Sequence, residues 1–145
     1  MQCGELIRAL EMMKTHVQRV SPDTKLTEAT DLMDLYQVSA LPVVSETGTL
    51  IGILTERDIV AALFTAESAL SAESFSVWRD VGQTLVQDAM TAPALYVMED
   101  SDVRAAVLLL LERGLKRIPV VNANTVVIGV LNRVDALQAL FEGQL

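Results

Sequence analysis

Thr55 and Asp58 close the segment GILTERD that begins at Gly52, and Asn132 and Asp135 close the related segment GVLNRVD that begins at Gly129. In each, an apolar run of strand character passes straight into a helical pattern, which puts Thr55 at the N-cap and Asp58 at the N3 position of a helix. Free backbone N–H groups and the positive end of the helix dipole make such a place a natural seat for an anion, a phosphate included. The carboxylate of Asp58 can also accept two hydrogen bonds at once, which suits the vicinal hydroxyls of a ribose. The same spacing has a plainer reading, because threonine followed three residues later by an acid is a capping box that starts a helix.

Other chemistries find little material here. His16 is the only histidine and Cys3 the only cysteine, so metal sites built from His and Cys clusters, and Ser-His-Asp or Cys-His catalysis, are poorly supported. A lone cysteine forms no internal disulfide, and the cytoplasm is the expected location. With 11 Lys+Arg against 19 Asp+Glu the formal net charge is -8, which argues against binding the phosphate backbone of nucleic acid. Any anion must then be held by local positive charge. The longest apolar run, Ala105 to Leu111, falls short of the roughly 18 residues that span a bilayer, and Glu5, Arg8 and Glu11 break up the start. The sequence is therefore expected to be soluble, without membrane partners or a secretory signal.

The elements that must position these residues occur twice. Pro42, Gly52 and Asp58 reappear as Pro119, Gly129 and Asp135, each 77 positions later, and the same shift carries Ala62-Leu63-Phe64 onto Ala139-Leu140-Phe141 and Met13 onto Met90. Each copy opens with a short extended stretch, Arg19-Val20 or Tyr96-Val97. A helix follows. The first is expected to be capped by Asp23 or Thr24 and to carry Leu26, Ala29, Met33 and Tyr36 on one face. Its counterpart starts near Ser101 with Val103, Ala106, Val107 and Leu110, while Leu108, Leu109 and Leu111 make it apolar on nearly every side, so that it needs covering on two faces. Two short strands come next, Pro42 to Val44 and Leu50 to Leu54 in the first copy, with Gly48 in the turn between them. The second helix is expected over 58–64. Boundaries read as residues 1–64 for the first copy, 65–86 for a joint onto whose core Phe75, Val77 and Trp78 tuck, and 87–145 for the second. A copy of about 55 residues buries too little apolar surface to stand alone, so the two are expected to pack around a pseudo-twofold axis.

The conjunction of LPVV with GILTERD and of IPVV with GVLNRVD at fixed spacing resembles the CBS-domain family, over roughly Met13 to Phe141. The resemblance implies an α+β fold of two tandem β-α-β-β-α repeats, a pair called a Bateman module. It also implies a regulatory adenosyl-ligand sensor that takes AMP, ADP, ATP or S-adenosylmethionine in a cleft between repeats. In that family the aspartate ending the strand-to-helix motif holds the ribose and the threonine three residues earlier lies near ribose or phosphate, which here are Asp58 and Thr55. The partner repeat supplies basic residues before its Pro-Val pair, here Lys116 and Arg117, followed by Ile118 and Pro119 whose backbone lines the adenine, with Leu95 flanking the base.

The second cleft departs from the pattern. Asn132 replaces the threonine, Asp135 keeps the acid, and Ser39, Ala40 and Leu41 before Pro42 bring no charge, leaving Arg133 or Arg57 to compensate. A phosphorylated ligand is expected to prefer the Asp58 cleft. Lys116 and Arg117 have an alternative as a solvated helix end, where cations are favoured. Three functions follow in order: a stand-alone sensor acting on its own dimer or on an unknown regulated protein, a ligand-free dimerisation scaffold joined through 103–111, and an enzyme. The last is weakest, because nothing supplies the nucleophile or metal that Glu56 and Asp58 would serve.

Overall fold

A computed structural model of the chain describes residues 7–65 and 74–142. Helices and strands are mixed, and the chain forms two compact units, Gln18–Ala94 and a unit joined from two pieces, Met1–Val17 with Leu95–Leu145. The leading segment of the chain thus belongs with the second repeat. Numbered along the chain, the helices are α1 (Ala9–Met12), α2 (Leu26–Tyr36), α3 (Glu56–Thr65), α4 (Ser74–Gly82), α5 (Val86–Ala89), α6 (Val103–Arg113) and α7 (Arg133–Glu142). The strands are β1 (Ala40–Val44), β2 (Leu50–Thr55), β3 (Val97–Met98), β4 (Arg117–Val121) and β5 (Val127–Asn132).

In the first-repeat unit β1 and β2 pair antiparallel, with Ala40 opposite Thr55 and Pro42 opposite Ile53. Val20 extends this sheet in parallel beside Val43, and Thr91 extends it on the far side beside Ile53. The second-repeat unit repeats the scheme: β3 lies parallel to β4, β4 antiparallel to β5, and Lys14 bridges Val130. The repeated prolines follow from this ladder. Both backbone groups of Ile53 bond Thr91, at 2.9 Å each, so the residue opposite it on β1 has no ladder bond to donate, and Pro42 sits there without loss. Val130 is likewise bonded on both groups to Lys14, opposite Pro119.

The repeated glycines have a steric cause in the same crossing. A Cβ on Gly52 would stand 2.7 Å from the Thr91 carbonyl oxygen, and one on Gly129 would stand 2.8 Å from that of Lys14. Only glycine lets these segments lie so close. Met90 and Met13 then cover the two glycines, which accounts for the Met13-to-Met90 repeat.

Each unit has its own core. Val20, Leu26, Ala29, Met33, Leu41, Val43, Leu54 and Val86 are buried together in one, and Val97, Val103, Ala106, Val107, Leu110, Ile118, Val120, Leu131 and Ala136 in the other. Burying each large aliphatic side chain contributes roughly 1.5–3 kcal/mol. In α2 and α6 the buried positions recur three or four residues apart, as the helical reading of the sequence requires.

Several local expectations are corrected. Neither Asp23 nor Thr24 caps α2: the N-cap is Lys25, whose N–H donates to Glu28 Oε1 at 3.2 Å, while the Thr24 hydroxyl turns back to accept from the Ser21 N–H. Tyr36 is exposed, because the helix ends at once in Gln37 with φ 53 and the last turn leaves the core face. The second helix starts two residues before Asp58, at Glu56. On α6 one face is covered among the described residues, while Leu108 and Leu111 on another are 56% and 57% exposed. The joint contains α4, where Val77 and Trp78 are half-buried. The Phe75 side chain and residues 66–73 lie outside the described residues, as does Cys3.

Candidate functional site

The two strand-to-helix junctions are built as the sequence requires, β2 into α3 and β5 into α7, with no residue between. At the first, the Thr55 N–H donates to Asp58 Oδ2 at 2.9 Å and the Asp58 N–H donates to Thr55 Oγ1 at 3.1 Å, so the capping box is fully formed. The Glu56 N–H donates to the Ser39 carbonyl at 3.0 Å. Two of the first three amides of α3 are therefore occupied, and Glu56 and Asp58 place negative charge in the same turn. The capping box that the same spacing allowed is thus present at this helix start, and its carboxylate offers acceptor positions to hydroxyl donors.

The remaining oxygen of Asp58 has a partner that motif reading missed. Thr91, carried by the segment after α5, donates its hydroxyl to Asp58 Oδ1 at 3.0 Å. The only sequence signal for it is the 77-residue shift, which aligns Thr91 with Lys14. At the second junction Asn132 Nδ2 donates to Asp135 Oδ2 at 3.2 Å, and Lys14 Nζ lies 3.4 Å from that same oxygen. The two sites share a plan and differ in the group that the crossing segment brings: a hydroxyl from Thr91 at Asp58, an ammonium from Lys14 at Asp135.

The other predicted residues divide between the units. Ala40, Leu41, Thr55 and Asp58 belong to the first-repeat unit, with Ala40 opposite Thr55 in the ladder and Leu41 buried. Leu95, Lys116, Arg117, Ile118, Pro119, Asn132, Arg133 and Asp135 belong to the second-repeat unit. Lys116 and Arg117 are not a helix end, which corrects that alternative: α6 stops at Arg113, Gly114 caps it with φ 65, and Arg117 opens β4. Arg117 faces Asn132 across the ladder, so both side chains leave the same side of the sheet. Its Nε is enclosed and has no hydrogen-bond partner among the described residues. Lys116 is exposed, Leu95 is exposed, and Ile118 and Pro119 are buried. Arg133 does not reach Asp135; its Nη1 donates to the Leu115 carbonyl at 3.3 Å.

A cavity of about 520 Å³ in the first-repeat unit is lined by Arg19, Val20, Ser21, Thr24, Glu28, Asp31, Leu32 and Leu35, none of them among the predicted ligand-binding residues. Among the described residues no three His, Cys, Asp or Glu side chains are grouped to hold a metal ion, and no helix is long and apolar enough to cross a membrane. His16 is exposed.

The family model for the CBS domain matches residues 7–65 and 86–142. The chain belongs to the CBS domain family. As a CBS protein it carries two repeats, and its sequence is 35% identical over 117 residues to the CBS domain-containing protein YhcV of Bacillus subtilis, covering 81% of this chain and 74% of that one. It is 29% identical over 128 residues to an uncharacterized protein of Methanopyrus kandleri, covering 88% of this chain and 60% of the relative. The structure of CBSX2, a CBS-pair protein of Arabidopsis thaliana, in complex with AMP superposes with a TM-score of 0.75 at 27% identity, covering 95% of this chain and 98% of that one. By sequence this CBS chain spans 58% of the length of chloroplastic CBSX2, close to its share of the Methanopyrus relative.

Proposed function

We propose that this protein is a regulatory sensor of an adenosine-containing ligand, AMP, ADP, ATP or S-adenosylmethionine, and that Asp58 holds the ribose. The observation that carries the reading is the state of the Asp58 carboxylate. Each of its oxygens accepts one bond, from Thr55 N–H and Thr91 Oγ1, and a carboxylate oxygen has room for two. One acceptor position therefore remains on each oxygen, side by side, as a vicinal diol requires. The fold shared at 27% identity with a CBS pair crystallised with AMP supports the ligand class. In the same proposal Thr55 lies near the sugar, Lys116 and Arg117 meet a phosphate, Ile118 and Pro119 line the base and Leu95 flanks it. Arg117, with its enclosed and unpartnered Nε, is the cation best prepared for an anion. Ala40, Leu41, Asn132, Arg133 and Asp135 form a weaker second site. The proposed role is binding alone, with no reaction assigned.

The test is calorimetry and thermal unfolding with the four adenosyl ligands. A ligand that binds only the folded chain raises its melting temperature by mass action, by roughly 2.7 kcal/mol of stability at a hundredfold excess over Kd. Asp58→Ala is expected to weaken binding by about 1.5–3 kcal/mol, the loss of hydrogen bonds to a charged acceptor, and Asp135→Ala by much less. A second reading, a ligand-free scaffold that pairs two chains, is favoured by the exposed Leu108 and Leu111 on α6. A flat response to all four ligands at millimolar concentration selects the scaffold.

A further inference from the structure

We propose that Lys14 is the residue that sets the two aspartate sites apart, closing Asp135 to a vicinal diol that Asp58 accepts. The inference rests on the reading of these aspartates as sugar-binding groups and deepens it, naming the selector. Lys14 and Thr91 occupy equivalent positions. Each is bonded backbone to backbone to the strand before the junction, Lys14 to Val130 at 2.8 Å in both directions and Thr91 to Ile53 at 2.9 Å in both. Their side chains therefore leave the ladder at matching places and reach matching carboxylates.

What they do there differs. Thr91 takes one acceptor position on Asp58 Oδ1 and Thr55 one on Oδ2, so one position remains on each oxygen. At Asp135 the Asn132 amide and the Lys14 ammonium converge on the same oxygen, Oδ2, at 3.2 and 3.4 Å. That crowds Oδ2 with an amide bond and an ammonium beside it, and leaves Oδ1 as the more open oxygen for a diol. The ammonium also offsets the negative charge that makes a carboxylate a strong acceptor. Arg133, turned to the Leu115 carbonyl, takes no part. The inequality of the sites is thereby assigned to the segment that precedes each repeat, a place to which the motifs themselves do not point.

The experiment is calorimetry of the 145-residue chain with AMP, using the wild type, Asp58→Ala, and Asp58→Ala combined with Lys14→Thr. Lys14 is exposed, so its replacement leaves the fold intact. The wild type should bind at Asp58, Asp58→Ala should lose that site, and adding Lys14→Thr should restore binding at Asp135, about fivefold tighter than Asp58→Ala alone, the most that releasing an exposed ion pair yields. The reciprocal Thr91→Lys should weaken AMP at Asp58 by a similar factor. With 2′-deoxy-AMP, which lacks one hydroxyl, Lys14→Thr should bring no gain. If the wild type binds AMP and Lys14→Thr leaves the Asp58→Ala protein unchanged, or weakens it further, the selector role is overturned while the sensor reading stands. If no variant binds AMP, the selector role is overturned, and the sensor reading falls with it only when ADP, ATP and S-adenosylmethionine fail as well.

Discussion

Replacing Gly52 by alanine tests whether the crossing segment is held as tightly as its geometry implies. The new methyl would stand 2.7 Å from the Thr91 carbonyl oxygen and 3.0 Å from the Met90 sulfur. A thioether at the end of a flexible side chain can turn aside. A backbone carbonyl cannot, so the segment must withdraw by about half an ångström, which stretches both 2.9 Å bonds between Ile53 and Thr91 beyond useful length. Losing two backbone hydrogen bonds at about 1 kcal/mol each, together with the strain of overpacking, predicts a loss of roughly 2–4 kcal/mol. For a chain of this size that lowers Tm by roughly 5–15 °C. Urea unfolding and amide exchange measure it together, since the Thr91 and Ile53 amides should lose protection first. Gly114→Ala is the control: nothing lies within 4 Å of its Cβ, and only the positive φ is strained, at about 1 kcal/mol. If Gly52→Ala costs no more than this control, or if Thr91 stays protected, the close-approach explanation of the repeated glycines is wrong.

Further outcomes are expected elsewhere. Gly48 takes φ 85 in the turn of the first repeat and Thr125 takes φ 62 at the matching position of the second, so Thr125→Gly should raise stability by about 0.5–1 kcal/mol, read as an increased urea midpoint. Asp102 caps α6 through the Arg104 N–H at 3.0 Å, and its pKa is lowered chiefly by the hydrogen-bonded Arg104 guanidinium. Its folded form holds fewer protons than the unfolded one, so its contribution is complete above the ordinary carboxylate range and fades as pH falls below about 4. Asp102→Ala should therefore lower stability at neutral pH, by about 1 kcal/mol for the lost cap, and much less at pH 2 in urea titrations. Leu108→Glu should abolish self-association in sedimentation runs while leaving Tm within a few degrees, because that side chain is exposed within the chain. Unfolding of this variant would place the face in the core instead.

The separate elements of this protein are legible because their signals are local. The short apolar run Leu50 to Leu54 sets a strand, the three-and-four spacing of Val103, Ala106, Val107 and Leu110 sets a helix, and Thr55 with Asp58 forms the capping box that its spacing announces. The 77-residue shift also marked Pro42, Gly52 and their counterparts as meaningful. It did not say why, because the reason lies in distant segments, at Thr91 for Gly52 and at Lys14 for Gly129.

Sequence alone determined the family, the two copies of strand and helix, and the acid that ends each junction, since a chain's neighbours along the backbone decide propensity, capping and amphipathic face. Only tertiary structure decided that residues 7–17 would join the second repeat, and that Thr91 and Lys14 would be the side chains reaching Asp58 and Asp135. Those contacts depend on which sheet edge a distant segment fills. An open edge accepts any strand with free backbone groups, and both edges here receive theirs in the same way, a methionine over a glycine and a carbonyl where no Cβ stands, so local signals do not say which segment fills which edge.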